Sequence, residues 1–179
     1  MIRSVPTINT SRLALRAMRA EDFDRYAEIW AMPEVVRNIT GEPRDRRRAW
    51  EAFLRNAGHW QITGFGQWAV IEQSSRLMIG QVGFFFSSAA LAEDFDLYPQ
   101  AGWMLVPEAQ GRGYAIEAAR AAHDWFDRVI PGKLVAQVAA ANSGSLKLAA
   151  QLGYRELRRE GEGETATVFL RRDGPPGGR

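Results

Sequence analysis

The chain of 179 residues contains no cysteine and only two histidines, His59 and His123, which lie far apart in sequence. The absence of cysteine excludes a disulfide framework, an iron–sulfur cluster, a thiolate zinc site and a cysteine nucleophile. Two separated histidines also argue against a histidine-rich metal centre. We therefore expect a protein without a metal cofactor.

Charge of one sign and long apolar runs are scarce as well. The net charge is only +2 at pH 7, which gives no electrostatic reason to expect nucleic acid as a partner. No apolar stretch approaches the roughly 18 residues that a membrane-spanning helix needs. The first residues also lack the apolar run of a signal peptide. These absences predict a cytoplasmic protein with no membrane partner.

The composition is that of an ordinary globular protein, with 46% hydrophobic and 25% charged residues. The length fits one domain, since domains average about 150 residues. Residues 173–179, which are rich in glycine and proline, cannot bury apolar surface. We expect a single domain over residues 1–172 and a disordered tail over 173–179.

Strand-like and helix-like segments alternate along the chain. Periodicity and turn residues predict helices at 20–31, from 45 onward, at 113–128 and at 143–152. They predict strands at 13–16, 67–72, 78–86, 100–106, 134–139, 154–159 and 166–171. This order is typical of a mixed α+β domain built around one sheet.

A glycine-rich turn between a predicted strand and a long helix carries the clearest chemical signal. Residues 110–115 read Gln-Gly-Arg-Gly-Tyr-Ala. The first amides of a helix have no intrahelical partner, and with the helix dipole they favour an anion such as phosphate. A tight turn without any ligand would have the same sequence. A P-loop is excluded because Tyr114 and Ala115, not Lys-Ser/Thr, follow Gly113, and Ile116 replaces the third glycine of a dinucleotide fingerprint.

The same six residues match the pattern Q/R-x-x-G-x-G/A and resemble the pyrophosphate loop of the GNAT acyltransferases. Residues 10–22, 64–70 and 78–83 further resemble the branch that contains ribosomal-protein N-terminal (alanine) acetyltransferases. The resemblance implies a single-domain α+β GNAT fold. Its central sheet is mostly antiparallel, is flanked by helices and has a V-shaped splay between two central parallel strands, here 100–106 and 134–139.

The resemblance also implies that acetyl-CoA is the acyl donor. Its pyrophosphate is expected on the turn, and its pantetheine arm along strand 100–106, where the N–H of Leu105 or Val106 polarises the thioester. Asn142 either binds pantetheine or serves as a plain N-cap. The residues expected to bind the cofactor are Leu105, Val106, Gln110, Gly111, Arg112, Gly113, Tyr114, Ala115 and Asn142.

The acid and the base are less well defined by the resemblance. Many relatives use a tyrosine as the acid where this chain has Ala149. In the ribosomal branch the serine of N-x-x-S can serve, which would be Ser145, unless that hydroxyl only bonds nearby backbone. The usual base position is Gln100, which cannot accept a proton. Either water or another carboxylate takes that role, and the candidates are Asp94, Asp96 and Glu160.

The expected activity is acetyl transfer to a primary amine of a small molecule or a peptide. Trp60 and Trp103 are the predicted acceptor contacts, and relatives are often homodimers. The basic run at residues 44–48 is interpreted either as a solvated helix face or as a contact with an acidic partner. Because Ala149 and Gln100 depart from the family pattern, a non-catalytic acyl-CoA-binding or sensor module is the alternative.

Overall fold

A computed structural model describes residues 4–87 and 91–176 of the chain. Within these ranges eight strands and six α-helices alternate. The strands are β1 (Ile8–Asn9), β2 (Leu13–Arg16), β3 (Gln67–Glu72), β4 (Met78–Phe85), β5 (Gln100–Leu105), β6 (Leu134–Ala139), β7 (Arg155–Glu160) and β8 (Thr167–Arg172). The helices are α1 (Phe23–Ala31), α2 (Pro33–Val36), α3 (Arg46–Thr63), α4 (Glu93–Asp96), α5 (Tyr114–Val129) and α6 (Ser143–Gln151).

All eight strands belong to one sheet with the order β1-β2-β3-β4-β5-β6-β8-β7. Neighbouring strands are antiparallel except β5 and β6, which run parallel at the centre. This is the mixed, mostly antiparallel α+β architecture that the resemblance implies, and the prediction is confirmed.

Helix α5 covers the sheet through its alanine-rich face. Ala118, Ala119 and Ala122 are buried, so the helix backbone approaches the strands closely. Phe126, one turn further on, packs on Phe84 of β4 with ring centroids 4.5 Å apart. This packing fixes the start of α5 relative to the end of β5, which is where the glycine-rich turn lies.

Helix α3 begins where the sequence predicts. The Asp45 carboxylate accepts a hydrogen bond of 2.8 Å from the Arg48 amide, which is a standard N-cap. Gly64 ends the helix in the left-handed region with φ +81°. The ends of the other long elements lie within a residue or two of their predicted positions, except that a 3₁₀ turn occupies Ala20–Asp22 and α1 begins only at Phe23. The short elements β1, α2 and α4 were missed because they are too short to show a period.

The predicted C-terminal tail is only partly covered by the structure. Asp173 forms ion pairs with Lys133 at 3.8 Å and Arg171 at 3.1 Å. Pro176 lies against Gly153, the left-handed residue that follows α6. The remaining residues of the predicted tail, 177–179, lie outside the described ranges, as do residues 1–3 of the predicted domain.

Candidate active site

The parallel strands β5 and β6 separate almost as soon as they meet. Their register contains a single pair, Gln100 with Val135, and the Val135 amide donates to the Pro99 carbonyl over 3.0 Å. Beyond this point the strands splay apart and open a cleft of about 1020 Å³. Residues of the sheet centre and of helices α1, α3, α5 and α6 line the cleft. The predicted V-shaped opening is therefore present.

Hydrogen bonding within β5 decides which backbone groups face the splay. The Val106 amide donates to the Ile79 carbonyl over 2.8 Å, so it is committed to β4. Backbone groups of an antiparallel strand alternate in direction, and the N–H of Leu105 therefore points toward β6 and the cleft. The Leu105 carbonyl accepts a 3.1 Å bond from Gln110 Nε2. Of the two predicted donors, Leu105 is available and Val106 is not.

The glycine-rich turn places bare backbone at one end of the cleft. Gly111 and Gly113 adopt φ values of +71° and +76°, the left-handed region that a Cβ disfavours. Gly113 is the N-cap of α5, and the free amides of the first helical turn follow it. Gln110, Gly111, Gly113 and Ala115 all line the cleft. This arrangement has the exposed backbone that the expected anion site requires.

The other two residues predicted in the turn direct their side chains away from the cleft. The Tyr114 hydroxyl donates to Glu72 Oε1 over 2.7 Å, and Arg112 Nη1 lies 3.4 Å from the same oxygen. Hydrogen bonds from Ser75 and Tyr114 lower the pKa of Glu72. Arg112 and Tyr114 can therefore contribute backbone amides to the anion site, but their side chains brace it against β3.

Glu117, one turn into α5, fastens the anion site to the N-terminal segment. Its carboxylate accepts hydrogen bonds from Thr10 Oγ1 at 2.6 Å, Ser11 Oγ at 3.2 Å and the Arg12 amide at 3.0 Å. The Arg12 guanidinium pairs with the same carboxylate and also donates to the Arg112 carbonyl over 2.8 Å. Burial opposes the charged form, but these bonds outweigh it and lower the pKa of Glu117. The role of Glu117 in the fold is structural.

Ser145 lies at the splay beside the indole of Trp103. Trp103 Nε1 donates to Ser145 Oγ over 3.2 Å, and both residues line the cleft. A serine oxygen that accepts this bond can still donate its own hydrogen. The geometry thus leaves Ser145 with a proton to give, and it places Trp103 beside the predicted acid.

Asn142 is an N-cap and also lines the cleft. Its Oδ1 accepts a hydrogen bond of 3.1 Å from the Ser145 amide at the start of α6. Its side-chain NH₂ group keeps two donors for a ligand. The two roles left open by the sequence are therefore compatible.

Trp60 lies in the core and is not among the residues that line the cleft. It is 5% exposed, donates from Nε1 to the Gln67 carbonyl over 3.2 Å, and packs edge-on against Trp68 and Trp125. The predicted contact between Trp60 and an acceptor has no support in this geometry. We do not include Trp60 in the site proposed below.

His59 does line the cleft, but both of its ring nitrogens are engaged. Nε2 accepts a 2.9 Å bond from the Phe86 amide, which puts the ring proton on Nδ1. Nδ1 lies 2.8 Å from the Phe65 carbonyl. With the Nε2 lone pair occupied, His59 is poorly suited to act as a base.

The carboxylates considered as bases lie elsewhere on the molecule. Arg158 pairs with both Asp94, at 2.9 Å, and Glu160, at 2.8 Å. Asp96 Oδ2 accepts the amides of Leu91 and Ala92 at the start of α4. None of the three lines the cleft, and within residues 4–87 and 91–176 the lining carboxylate is the exposed Glu34. Sequence spacing could not show this because the ion pairs join distant strands and loops.

Beneath Trp103 lies a buried pair that the sequence did not reveal. The Tyr154 hydroxyl is 2.9 Å from His123 Nε2, and His123 Nδ1 is 2.7 Å from the Ala119 carbonyl. Burial lowers the pKa of His123 to about 4 and raises that of Tyr154. Both groups are therefore neutral near pH 7, and Tyr154 is a core residue that packs edge-on against Trp103.

In residues 4–87 and 91–176, no three or more His, Cys, Asp or Glu side chains gather closely enough to hold a metal ion. In the same ranges, no helix has the length and apolar character to cross a membrane.

Comparison with known proteins identifies relatives along most of the chain. A protein of Bordetella pertussis that is assigned to the GNAT acetyltransferases has a structure that superposes with a TM-score of 0.82 at 28% identity. The match covers 93% of this chain and 98% of that one. The ribosomal-protein-S5-alanine acetyltransferase of Vibrio fischeri superposes with a TM-score of 0.73 at 15% identity, covering 95% and 97%. The spermidine N-acetyltransferase of Vibrio cholerae, solved with CoA and spermine, gives 0.71 at 18% identity, covering 90% and 95%.

The family comparison agrees with these structures. The profile described as "Acetyltransferase (GNAT) domain" matches residues 12–155, which include the splayed strands, the glycine-rich turn and the start of α6. The structures with the lower sequence identities share only their fold with this chain. The family profile, by contrast, matches the sequence over most of the chain. The chain belongs to the GNAT acetyltransferase family.

Proposed function

We propose that the protein transfers an acetyl group from acetyl-CoA to a primary amine by direct attack of the amine on the thioester. The observation that carries the proposal is the splay between β5 and β6. It brings the anion-binding turn, the free N–H of Leu105 and the hydroxyl of Ser145 to one cleft. Each of these groups serves a different part of the same reaction.

The donor is expected to bind mostly through backbone. The pyrophosphate is assigned to the amides that follow Gly111 and Gly113, where the dipole of α5 favours negative charge. The pantetheine arm is assigned to the open edge of β5, as a strand that adds to a sheet. Asn142 can supply side-chain donors from the opposite wall.

The chemistry requires one bond to form and one to break. The amine nitrogen attacks the thioester carbon, and the Leu105 N–H stabilises the negative charge that develops on the carbonyl oxygen. The carbon–sulfur bond then breaks, and Ser145 donates its proton to the departing thiolate. The proton released by the amine passes to water and restores the serine hydroxyl.

Among the described residues, no side chain in the cleft is placed to act as the general base. Gln100 stands at the position where relatives carry glutamate, His59 is engaged, and Glu34 is at the exposed mouth. Water must therefore accept the proton of the ammonium group. This arrangement suits the α-amino group of a peptide, whose pKa of about 8 leaves some free amine at neutral pH.

A non-catalytic acyl-CoA-binding module is the second candidate. It is favoured by the buried Ala149 at the position of the usual tyrosine acid and by Gln100 at that of the usual base. Such a module would bind acetyl-CoA without releasing CoA when an amine is added.

The experiment that separates the two candidates follows CoA thiol release from acetyl-CoA with a broad panel of amines. The enzyme predicts release that requires both acetyl-CoA and an amine, together with an acetylated amine of the expected mass. Tight acetyl-CoA binding with no release for any amine would contradict the enzyme and support the binding module.

A further inference from the structure

Three arginines line the cleft on the side of helices α1 to α3, and none is neutralised. They are Arg37, Arg44 and Arg55, and no carboxylate of the described residues lies within ion-pair distance of their guanidinium groups. Neighbouring arginines outside the cleft do pair, Arg46 with an aspartate and Arg47 with a glutamate, each at 2.6 Å. Arg48, outside the cleft, also lacks an ion-pair partner among the described residues, so what sets the three arginines apart is that they line the cleft.

Arg44 is held in place although it has no counter-ion. Its guanidinium carbon lies 3.6 Å from the centroid of the Trp30 ring, and its amide donates to the Trp30 carbonyl over 2.9 Å. Burial lowers the pKa of Arg44, the neighbouring Tyr26 hydroxyl acts to raise it, and the charge of Arg55 acts to lower it. A half-buried cation beside a second cation is costly unless an anion joins them.

Arg55 reaches the same place from helix α3. Ala52, Arg55, Asn56 and His59 line the cleft at spacings of three and four residues, so one face of α3 forms this wall. The charges of Arg44 and Arg55 both act on the buried hydroxyl of Tyr26, whose pKa is raised overall by its burial. Tyr26, Arg44 and Arg55 all line the cleft, with Arg44 half-buried and Arg55 exposed.

A short chain of contacts links this end to the reacting strand. Gln81 is paired in register with Met104 of β5, and its Oε1 accepts a 3.2 Å bond from Trp30 Nε1. The Arg44 guanidinium in turn stacks on the Trp30 ring. Arg44 is thus two side chains away from β5, and Arg44 and Met104 line the same cleft.

We infer that the acceptor is an amine that also carries a carboxylate, and that Arg44 and Arg55 bind the carboxylate while the amine faces the thioester. The inference rests on the proposed function and names the substrate class of the same site. Guanidinium groups match carboxylates through paired N–H donors, and a charged end wall of this kind disfavours polyamines. A free amino acid supplies both groups, and a peptide with an acidic first residue is the other source of the same chemistry.

The substrate test compares acceptors that differ only in the carboxylate. CoA release is measured with each L-amino acid and its primary amide, with spermidine, and with the peptide pair Asp-Gly-amide and Asn-Gly-amide. The amide has the less basic amine, so reactivity alone favours the amide. We expect the amino acid to exceed its amide about tenfold or more in kcat/KM, in line with loss of a charge-assisted hydrogen bond. A preference confined to the Asp-Gly peptide would assign the carboxylate to a peptide side chain.

The variant test uses Arg44→Met, which retains the stem over Trp30, together with Arg55→Gln. Each is expected to raise KM for the anionic acceptor about tenfold, with little effect on its amide or on acetyl-CoA affinity. Arg48→Gln is the matched control, because Arg48 pairs with no carboxylate of the described residues and does not line the cleft. It should leave both acceptors unchanged.

Two results would overturn the inference. One is equal or better use of amides or spermidine, and the other is an equal loss for acid and amide in Arg44→Met, which would make the arginine structural. If no amine releases CoA, the proposed activity has failed, and calorimetry on the CoA-bound protein then tests the arginines alone. Binding of an amino acid, but not its amide, that is lost in Arg44→Met supports the site, and no such binding contradicts it.

Discussion

The two ends of the cleft manage charge in opposite ways. At the turn, the arginines are neutralised: Arg12 pairs with Glu117, and Arg112 lies beside Glu72. What faces the cleft there is backbone. At the other end Arg44 and Arg55 face the cleft without a carboxylate partner. The difference suggests that one end recognises a constant ligand through amides, while the other selects among ligands through side chains.

The comparison also explains which positions can be changed. Side chains at the turn mostly brace the backbone, so single substitutions there act through shape or through added charge. Side chains at the arginine end would contact the ligand itself, so substitutions there act on selectivity. The following predictions test this division, beginning with the largest expected effect.

Adding a negative charge to the anion site should abolish most of the donor affinity. Ala115 lines the cleft in the first turn of α5, where a glutamate is compatible with the helix and faces the pyrophosphate site. We expect Ala115→Glu to weaken acetyl-CoA binding about a hundredfold or more, since like charges brought together cost several kcal/mol. Calorimetric titration measures this, with Ala115→Gln as the control that adds the same bulk without charge.

Glycine positions of the turn are less suitable for that test. A side chain at Gly113 would be strained at φ +76° and would lie 3.3 Å from Arg12. If Ala115→Glu bound acetyl-CoA as the parent does, the assignment of the pyrophosphate to this turn would be wrong.

Removing the Ser145 hydroxyl should slow turnover without changing donor binding. We expect Ser145→Ala to lower kcat about a hundredfold, the low end of general-acid contributions. Trp103→Phe, which removes the indole N–H bonded to Ser145, should lower kcat about fivefold, the value of one neutral hydrogen bond. Ser143→Ala is the control, because Ser143 lies two residues before Ser145 and does not line the cleft, and it should not change kcat. Unchanged turnover in Ser145→Ala would exclude Ser145 as the acid.

The core beneath Trp103 contains a contact that is sensitive to protons. His123 has a pKa of about 4 in the folded protein and about 6.5 when unfolded. Because the unfolded chain binds the proton first, this contribution to stability is complete above pH 6.5 and is lost as the pH falls toward 4. Urea unfolding at a series of pH values should show a decline of up to about 1.4 kcal/mol per pH unit in this window. The free energy of unfolding of His123→Leu should depend less on pH in this window. An equal slope in both proteins would contradict the lowered pKa of His123.

Glu117→Gln should destabilise the protein modestly, by about 1–2 kcal/mol, because several charge-assisted hydrogen bonds are weakened. Its depressed pKa means that this stabilisation exists above about pH 4.3 and is lost as the carboxylate is protonated at lower pH. Chemical unfolding at pH 7 measures the effect. Glu108→Gln, at an exposed position next to the turn, is the control and should stay within about 0.5 kcal/mol. A change in acceptor preference in Glu117→Gln would break the division between the two ends.

The shape of the glycine-rich turn could be predicted from sequence because its determinants are local. The residues from Gln110 to Ala115 are contiguous, and both the turn and the helix start follow from the glycines. Asn142 and Ser145 are likewise fixed by the start of one helix. Only the choice between Leu105 and Val106 needed the structure, since it depends on which neighbour strand each amide faces.

The acceptor end could not be predicted, because its residues meet only through tertiary packing. Arg44 belongs to a run that is typical of a solvated face, yet it alone stacks on Trp30 while Arg46 and Arg47 pair with surface carboxylates. Trp60 and Trp103 look equivalent in sequence, but one packs in the core and the other contacts Ser145. No spacing rule distinguishes such pairs.

The hydrogen bonds of Glu117 have a consequence for the order of folding. They join helix α5 to residues that lie 105 to 107 positions earlier in the chain. Closing so long a loop has an entropic cost that only later contacts offset. We expect the turn to reach its final shape late, after β2 has joined the sheet. During refolding, acetyl-CoA binding should therefore recover more slowly than the helix content measured by circular dichroism.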